Sequence, residues 1–311
     1  MNSFVNMGLS RLKALILLFF SLTLLAELPI RFDGRFTLEP GDTVVTLGDS
    51  NAEAMRQFGF LETSLQLSFP DARARFRNMA WQADTVFQQQ RPRNFGDLPS
   101  HLRDVGASVI FLHFGRAEVI EQRSVSDFIN TYSTLVKSLL PITERIVVVV
   151  PFPFEAAASE HLPDMRAHNA LLAEYAQMMH RLAEIHGIMI VDLFSAFRRQ
   201  AKAGRRLTSD GVRLTPDSQR KVAKAITAAM RLSWNENEDL RTAVIDRNQL
   251  WHRYWRPTNW AFLRGNRTHV PSSRDHKNSA RRWFPEEIEA LLPVITKADK
   301  KIAELATASQ K

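Results

Sequence analysis

Apolar residues fall along this chain in two rhythms. Short runs rich in them, Val44 to Leu47, Arg73 to Met79, Val109 to Phe114, Ile146 to Val150 and Ile188 to Val191, read as five strands. Most are apolar at successive rather than alternate positions, which predicts a parallel sheet covered on both faces. Between them the spacing is helical. Ala52, Met55, Phe58 and Leu61 follow the first strand, and Phe128, Tyr132, Leu135 and Leu139 follow Ser124-x-x-Asp127, which resembles a capping box. Leu171 to Ile185 form a long stripe ended by Gly187, and Val222 to Met230 another after Pro216. Strands alternating with helices make this an α/β chain.

The pattern weakens after Ser233. Glu236 to Tyr254 reads as a helix with Leu240, Val244 and Leu250 on one side. A polar loop around Pro271 to Lys277 precedes a last helix, with Pro285 at its first position and a kink at Pro293. Three segments are expected: 1–30, a domain over 41–232, and a C-terminal helical extension over 233–311. The extension has too few apolar residues for its own core and should dock on the domain.

Segment 1–30 changes the picture. Arg11 and Lys13 precede an apolar run, Ala14 to Leu25, shorter than the roughly 20 residues of a spanning helix. It reads as a signal peptide or an uncleaved signal anchor, so the domain is expected to be secreted, periplasmic or anchored in the cell envelope.

Composition adds two constraints. The chain has 311 residues, 45% of them hydrophobic, enough for one large domain with an appendage. It contains no cysteine, which excludes disulfides, thiolate metal sites and a lipidated N-terminal cysteine. Nothing points to a cofactor or a metal. The net charge of +8 is concentrated late. Five of the six tryptophans follow residue 233, interleaved with Arg253, Arg256, Arg264, Arg267, Lys277, Arg281 and Arg282. Such a segment suits an anionic polysaccharide or a membrane surface, or it packs back on the domain as a strap. An exported chain argues against nucleic acid.

The chemistry centres on Gly48-Asp49-Ser50, a tight turn between the first strand and a helix. Such a turn exposes a serine hydroxyl beside the free N–H groups of a helix N-terminus, where a nucleophile and an oxyanion site are wanted. The competing reading is that Ser50 only caps the helix.

Five parallel strands, this turn after the first, and a late Asp-Gly segment together resemble the SGNH/GDSL hydrolase family over Gly41 to Leu232. Phe95-Gly96-Asp97-Leu98, His161-Leu162-Pro163-Asp164 and Arg247 to Asn259 also look like large GDSL-type proteins of planctomycete and verrucomicrobial genomes. The resemblance implies a flavodoxin-like three-layer α/β/α sandwich and an ester hydrolase using serine, histidine and aspartate. By position, Ser50 would be the nucleophile. The family's oxyanion glycine corresponds to Ala83, whose backbone N–H survives if the turn needs no positive φ. Its Gly-x-Asn-Asp/Glu block corresponds to Gly115-Arg116-Ala117-Glu118, so the donor asparagine is Ala117. Its Asp-x-x-His corresponds to Asp210-Gly211-Val212-Arg213, so the base position holds Arg213, a guanidinium that cannot accept a proton.

No histidine in the chain follows an Asp or Glu at that spacing. His113, at the end of the third strand, could substitute as base, or could simply bond backbone; His161 and His168 could also approach, and Asp49 or Glu118 could serve weakly. Arg213 and Arg116 could line an anion-binding cleft at Ser50, or pair with Asp210 and Glu118. Two functions stay open. One is an ester hydrolase acting on acylated carbohydrate or cell-envelope esters, its triad degraded. The other is a catalytically silent protein that binds an anionic or carbohydrate ligand.

Overall fold

The structure is a computed structural model describing residues 32, 34–157, 159–202 and 206–309. The signal or anchor expected over 1–30 lies outside the described residues. In chain order the elements are β1 (Thr43–Gly48), α1 (Ser50–Ala54), α2 (Phe60–Ser68), β2 (Arg75–Asn78), α3 (Leu98–Asp104), β3 (Val109–His113), α4 (Arg116–Ile120), α5 (Val125–Leu139), β4 (Ile146–Val150), α6 (Asn169–His186), β5 (Met189–Asp192), α7 (Leu193–Lys202) and α8 (Pro216–Ala229). The C-terminal helices are α9 (Glu238–Trp255), α10 (Trp260–Leu263), α11 (Trp283–Glu289) and α12 (Leu291–Ala308).

The strands form one sheet in the order β2-β1-β3-β4-β5, every pair parallel. This is the flavodoxin-like order, whose chain reversal falls between β1 and β3. Strands β1, β3, β4 and β5 are largely apolar because both faces of the sheet are buried, whereas the edge strand β2 reads Arg-Phe-Arg-Asn. Val45, Leu47, Ile110, Leu112, Val148 and Val150 enter one core with Phe128 and Tyr132 of α5 and Leu172 and Tyr175 of α6. Their neighbours Val44, Phe111, Val147, Val149 and Val191 enter the other with Leu65 of α2 and Ile226 of α8.

Several boundaries differ from the pattern. The helix after Ser50 is not continuous: Gly59 takes φ +66° and starts α2 afresh. Helices α3, α4 and α7 are short, and their periodicity is too brief to stand out in sequence. Helix α11 begins at Trp283, which puts Pro285 third rather than first. Ala290 then separates α11 from α12, so Pro293 sits in the first turn of a new helix. A proline there forfeits no intrahelical bond, and no kink is needed.

The C-terminal helices close over α2 and β2 through buried charge. Arg247 of α9 is fully buried, donates to the Phe76 carbonyl of β2 and pairs with Glu62 of α2. Arg77 of β2 makes a two-pronged bond to Asp299 of α12, at 2.6 and 3.2 Å. Trp251 lies under the Arg77 guanidinium, and its indole N–H donates to the Asn78 carbonyl at 3.0 Å. Trp251 and Trp255 are buried, as the strap reading requires; Trp260 is 38% exposed.

Candidate active site

Strand β1 ends where the sheet order reverses, the place where ligands sit in such sheets. Gly48 makes the exit possible. Its φ is +140°, and a Cβ there would stand 2.3 Å from the His113 carbonyl of β3. Asp49 then caps α1, its carboxylate accepting from the N–H groups of Asn51 and Ala52 at 2.9 and 3.4 Å. The cap is thus Asp49, not Ser50. Ser50 is exposed, and its hydroxyl donates to the Gln82 carbonyl at 2.8 Å.

Gln82 and Ala83 are the central residues of a turn closed by the Asp84 N–H on the Trp81 carbonyl at 2.9 Å. Ala83 is absent from the positive-φ residues, so alanine replaces glycine here without strain. Among the described residues, neither the Ser50 nor the Ala83 backbone N–H has a hydrogen-bond partner. Asn78 steadies the arrangement by donating from its side chain to the Ala52 carbonyl at 2.7 Å.

The other family positions are occupied differently. The Gly115 N–H donates to Glu118 at 2.8 Å and is not free for substrate. Glu118 also accepts the Val86 N–H, and burial pushes its carboxyl up to about 7 despite these bonds. Ala117 has no side-chain donor. Arg116 is buried, donates to the Phe152 and Val212 carbonyls at 2.6 and 3.1 Å, and lies over the Phe152 and Phe154 rings at 4.1 and 4.0 Å. Burial brings its guanidinium down to about 10, partly opposed by Asp49, Glu155 and Asp210. Arg116 therefore neither pairs with Glu118 nor offers its charge to an open cleft; it braces the loop that carries Asp210.

That loop is held from three sides. Glu155 accepts the Leu207 and Thr208 N–H groups, Arg116 holds the Val212 carbonyl, and Asn51 contacts both Val212 and Leu214 at 3.4 and 3.3 Å. Asn51, next to Ser50, thus ties the Asp210–Arg213 loop to the nucleophile turn. Within it, Arg213 Nε donates to Asp210 at 2.7 Å and the Arg213 side chain is 74% exposed.

No alternative base is engaged. His113 lines a small cavity behind the turn with Asp49 and Arg116, and its Nε2 is buried without a partner. Burial brings its imidazole down to about 4, so it is neutral near pH 7 but not bonded to Ser50. His161 is exposed beside Glu160, and His168 packs against Phe154. Asp49 is occupied as a cap. Among the described residues, no cluster of three or more His, Asp or Glu side chains is placed to hold a metal.

Gln82 and Asn51 are site residues to which the sequence reading gave no role. Asn51 could have been suspected from its place after Ser50; a carbonyl such as that of Gln82 leaves no trace in side-chain patterns.

Fold and site together define a flavodoxin-like α/β protein that presents a serine at its ligand edge. The chain belongs to the GDSL-like lipase/acylhydrolase family, whose sequence profile matches residues 46–221. Solved structures agree in fold. The α/β hydrolase LAE5 from the metagenome of Lake Arreo, Spain, is 20% identical with a TM-score of 0.51, covering 64% of this chain and 99% of that one. The acetylxylan esterase Axe2 from Geobacillus stearothermophilus is 17% identical with a TM-score of 0.51, covering 65% of this chain and all of that one. Axe2 variants changed at a serine, an aspartate and a histidine in Asp-x-x-His spacing are described as catalytic mutants. No curated protein matches the chain in sequence.

Proposed function

We propose that this protein is an ester hydrolase of the GDSL type in which Ser50 attacks the acyl carbon of a small or carbohydrate-borne ester, slowly for want of an imidazole. One observation carries the reading. Asp49 performs the capping, so the exposed Ser50 hydroxyl is not needed at the helix start, and its one hydrogen bond is the donation to the Gln82 carbonyl. The Ser50 and Ala83 N–H groups supply two donors for the tetrahedral oxyanion. Ala117 supplies no third, and Arg213 cannot take the serine proton, which passes to solvent instead. An acylated carbohydrate is favoured because acetylxylan esterases share the fold.

The test is covalent. A fluorophosphonate probe should label the wild type slowly and the Ser50→Ala variant not at all, read as intact mass and located by peptide mass after digestion. Labelling that persists in Ser50→Ala would assign the chemistry elsewhere.

A second reading, a binding protein that kept the fold and lost the chemistry, is favoured by the closed Arg213–Asp210 pair. Absence of both labelling and ester turnover, with carbohydrate binding retained, would select it. Either reading includes export to the cell envelope, supported by Arg11, Lys13 and the apolar run after them. Among the described residues no helix is long and apolar enough to cross a membrane.

A further inference from the structure

Beside the Ser50 turn runs a groove of about 370 Å³, within the size range of small-ligand sites. One wall belongs to the α/β domain and includes Glu53, Trp81 and Gln82; the other belongs to the C-terminal segment and includes His252, Arg256 and Trp260. Gln82 links the groove to the nucleophile, since its carbonyl accepts the Ser50 hydroxyl at 2.8 Å.

The charges in and around this groove are unequally satisfied. Arg56 pairs with Glu53 at 2.6 Å, and Arg91 pairs with Asp84 at 2.8 Å. Both carboxylates are therefore committed. The Arg256 guanidinium is stacked 3.8 Å from the centre of the Trp81 ring, and among the described residues it has neither a hydrogen bond nor an ion pair. It is half-buried and rigidly placed, with its planar donors still available. A guanidinium held this way is suited to a two-pronged bond with a carboxylate or sulfate. In the same wall, Trp260 is partly exposed and offers indole surface on which a sugar ring can stack.

We propose that the ester substrate is an anionic carbohydrate, its carboxylate or sulfate held by Arg256 and a sugar ring stacked on Trp260, so that an acyl group on the adjoining ring reaches Ser50. The C-terminal segment is then half of the substrate site. This rests on the reading of the Ser50 turn as the ester site.

Binding is measured apart from turnover, on full-length Ser50→Ala protein. Titration calorimetry is run with acetylated oligouronate, acetylated sulfated oligosaccharide and neutral acetylated xylo-oligosaccharide. An anionic oligosaccharide should bind more tightly than the neutral one, and the preferred anion distinguishes carboxylate from sulfate. Arg256→Gln should weaken that binding by about 10- to 100-fold and leave the neutral ligand unaffected. Arg256→Lys, which keeps the charge but not the fork, should fall between, and thermal melting confirms that both variants fold. Trp260→Ala, on an exposed side chain, should weaken both classes of sugar.

Equal binding of charged and neutral sugars, no binding of any, or indifference to Arg256→Gln would overturn the proposal. Wild-type ester turnover lost on Ser50→Ala would then leave the esterase reading standing alone. Anion binding through Arg256 without Ser50-dependent turnover would do the reverse.

Discussion

Arg213 and Asp210 satisfy each other: the Arg213 Nε and its own main-chain N–H both donate to the Asp210 carboxylate, each at 2.7 Å. Burial would raise this carboxyl, but the bonds from Arg213 and Val212 outweigh it and hold it below its ordinary value. Asp210 is thus ionised and already engaged by Arg213, the residue that the resemblance puts at the base position.

That geometry predicts a rescue. Arg213→His supplies an imidazole at the family spacing from Asp210, in a loop already tied to Ser50 by Asn51. Hydrolysis of p-nitrophenyl acetate should rise. Adding Ala117→Asn restores a third oxyanion donor, an interaction worth about 10²–10³ in rate where it has been removed elsewhere. Ser50→Ala should abolish the gain in either background. A fast wild type unaffected by Arg213→His would mean that another residue is the base, and His113→Ala would identify or exclude the first candidate.

His113 gives a pH signature in stability. Its folded value of about 4 lies below the 6.5 of the unfolded imidazole, so between those values the unfolded chain binds more protons. Stability should be full above pH 6.5 and decline as pH falls toward 4, by an amount on the order of 3 kcal/mol. In His113→Gln the urea midpoint should fall less steeply over that window. An unchanged slope would assign the acid sensitivity to other groups.

The Arg247–Glu62 pair predicts how the two parts of the chain depend on each other. Arg247→Met leaves Glu62 buried without its counter-charge and should cost about 3–5 kcal/mol in urea denaturation. Adding Glu62→Gln should recover part of that loss. Residues 233–311 expressed alone should show no cooperative thermal transition by circular dichroism; a sharp one would make the extension an independent module.

Gly48→Ala tests the strand exit. The new Cβ meets the His113 main chain at a φ that side chains avoid, so a destabilisation of about 3 kcal/mol is expected. Fluorophosphonate labelling of Ser50 should fall in parallel, because the turn must move.

Strands β1, β3, β4 and β5 and their parallel sense were legible because a sheet buried on both faces needs largely apolar runs, whereas β2 reads Arg-Phe-Arg-Asn. Ile146 to Val150 is the clearest, and its observed limits match its pattern. The Gly48-Asp49-Ser50 turn was legible as a location, but its division of labour was not. A carboxylate and a hydroxyl can both cap a helix, and only coordinates show that Asp49 does so. Arg213 on Asp210 was one of two readings the sequence left open. Arg116 was misjudged in both its readings, since its partners are the Phe152 and Val212 carbonyls and two aromatic rings. The C-terminal wall of the groove was illegible because Trp81 and Arg256 meet only through tertiary packing.

Strand β2 has a consequence for the timing of synthesis. Its Arg77 finds Asp299 only 222 residues later in the chain. Its Phe76 carbonyl is reached by Arg247. At 5–20 residues per second, the wait for Asp299 is roughly 10–45 s. Throughout that interval the edge strand carries an arginine without the counter-charge it has in the folded chain. The edge strand therefore reaches its final set of partners only when the helix carrying Asp299 has been made.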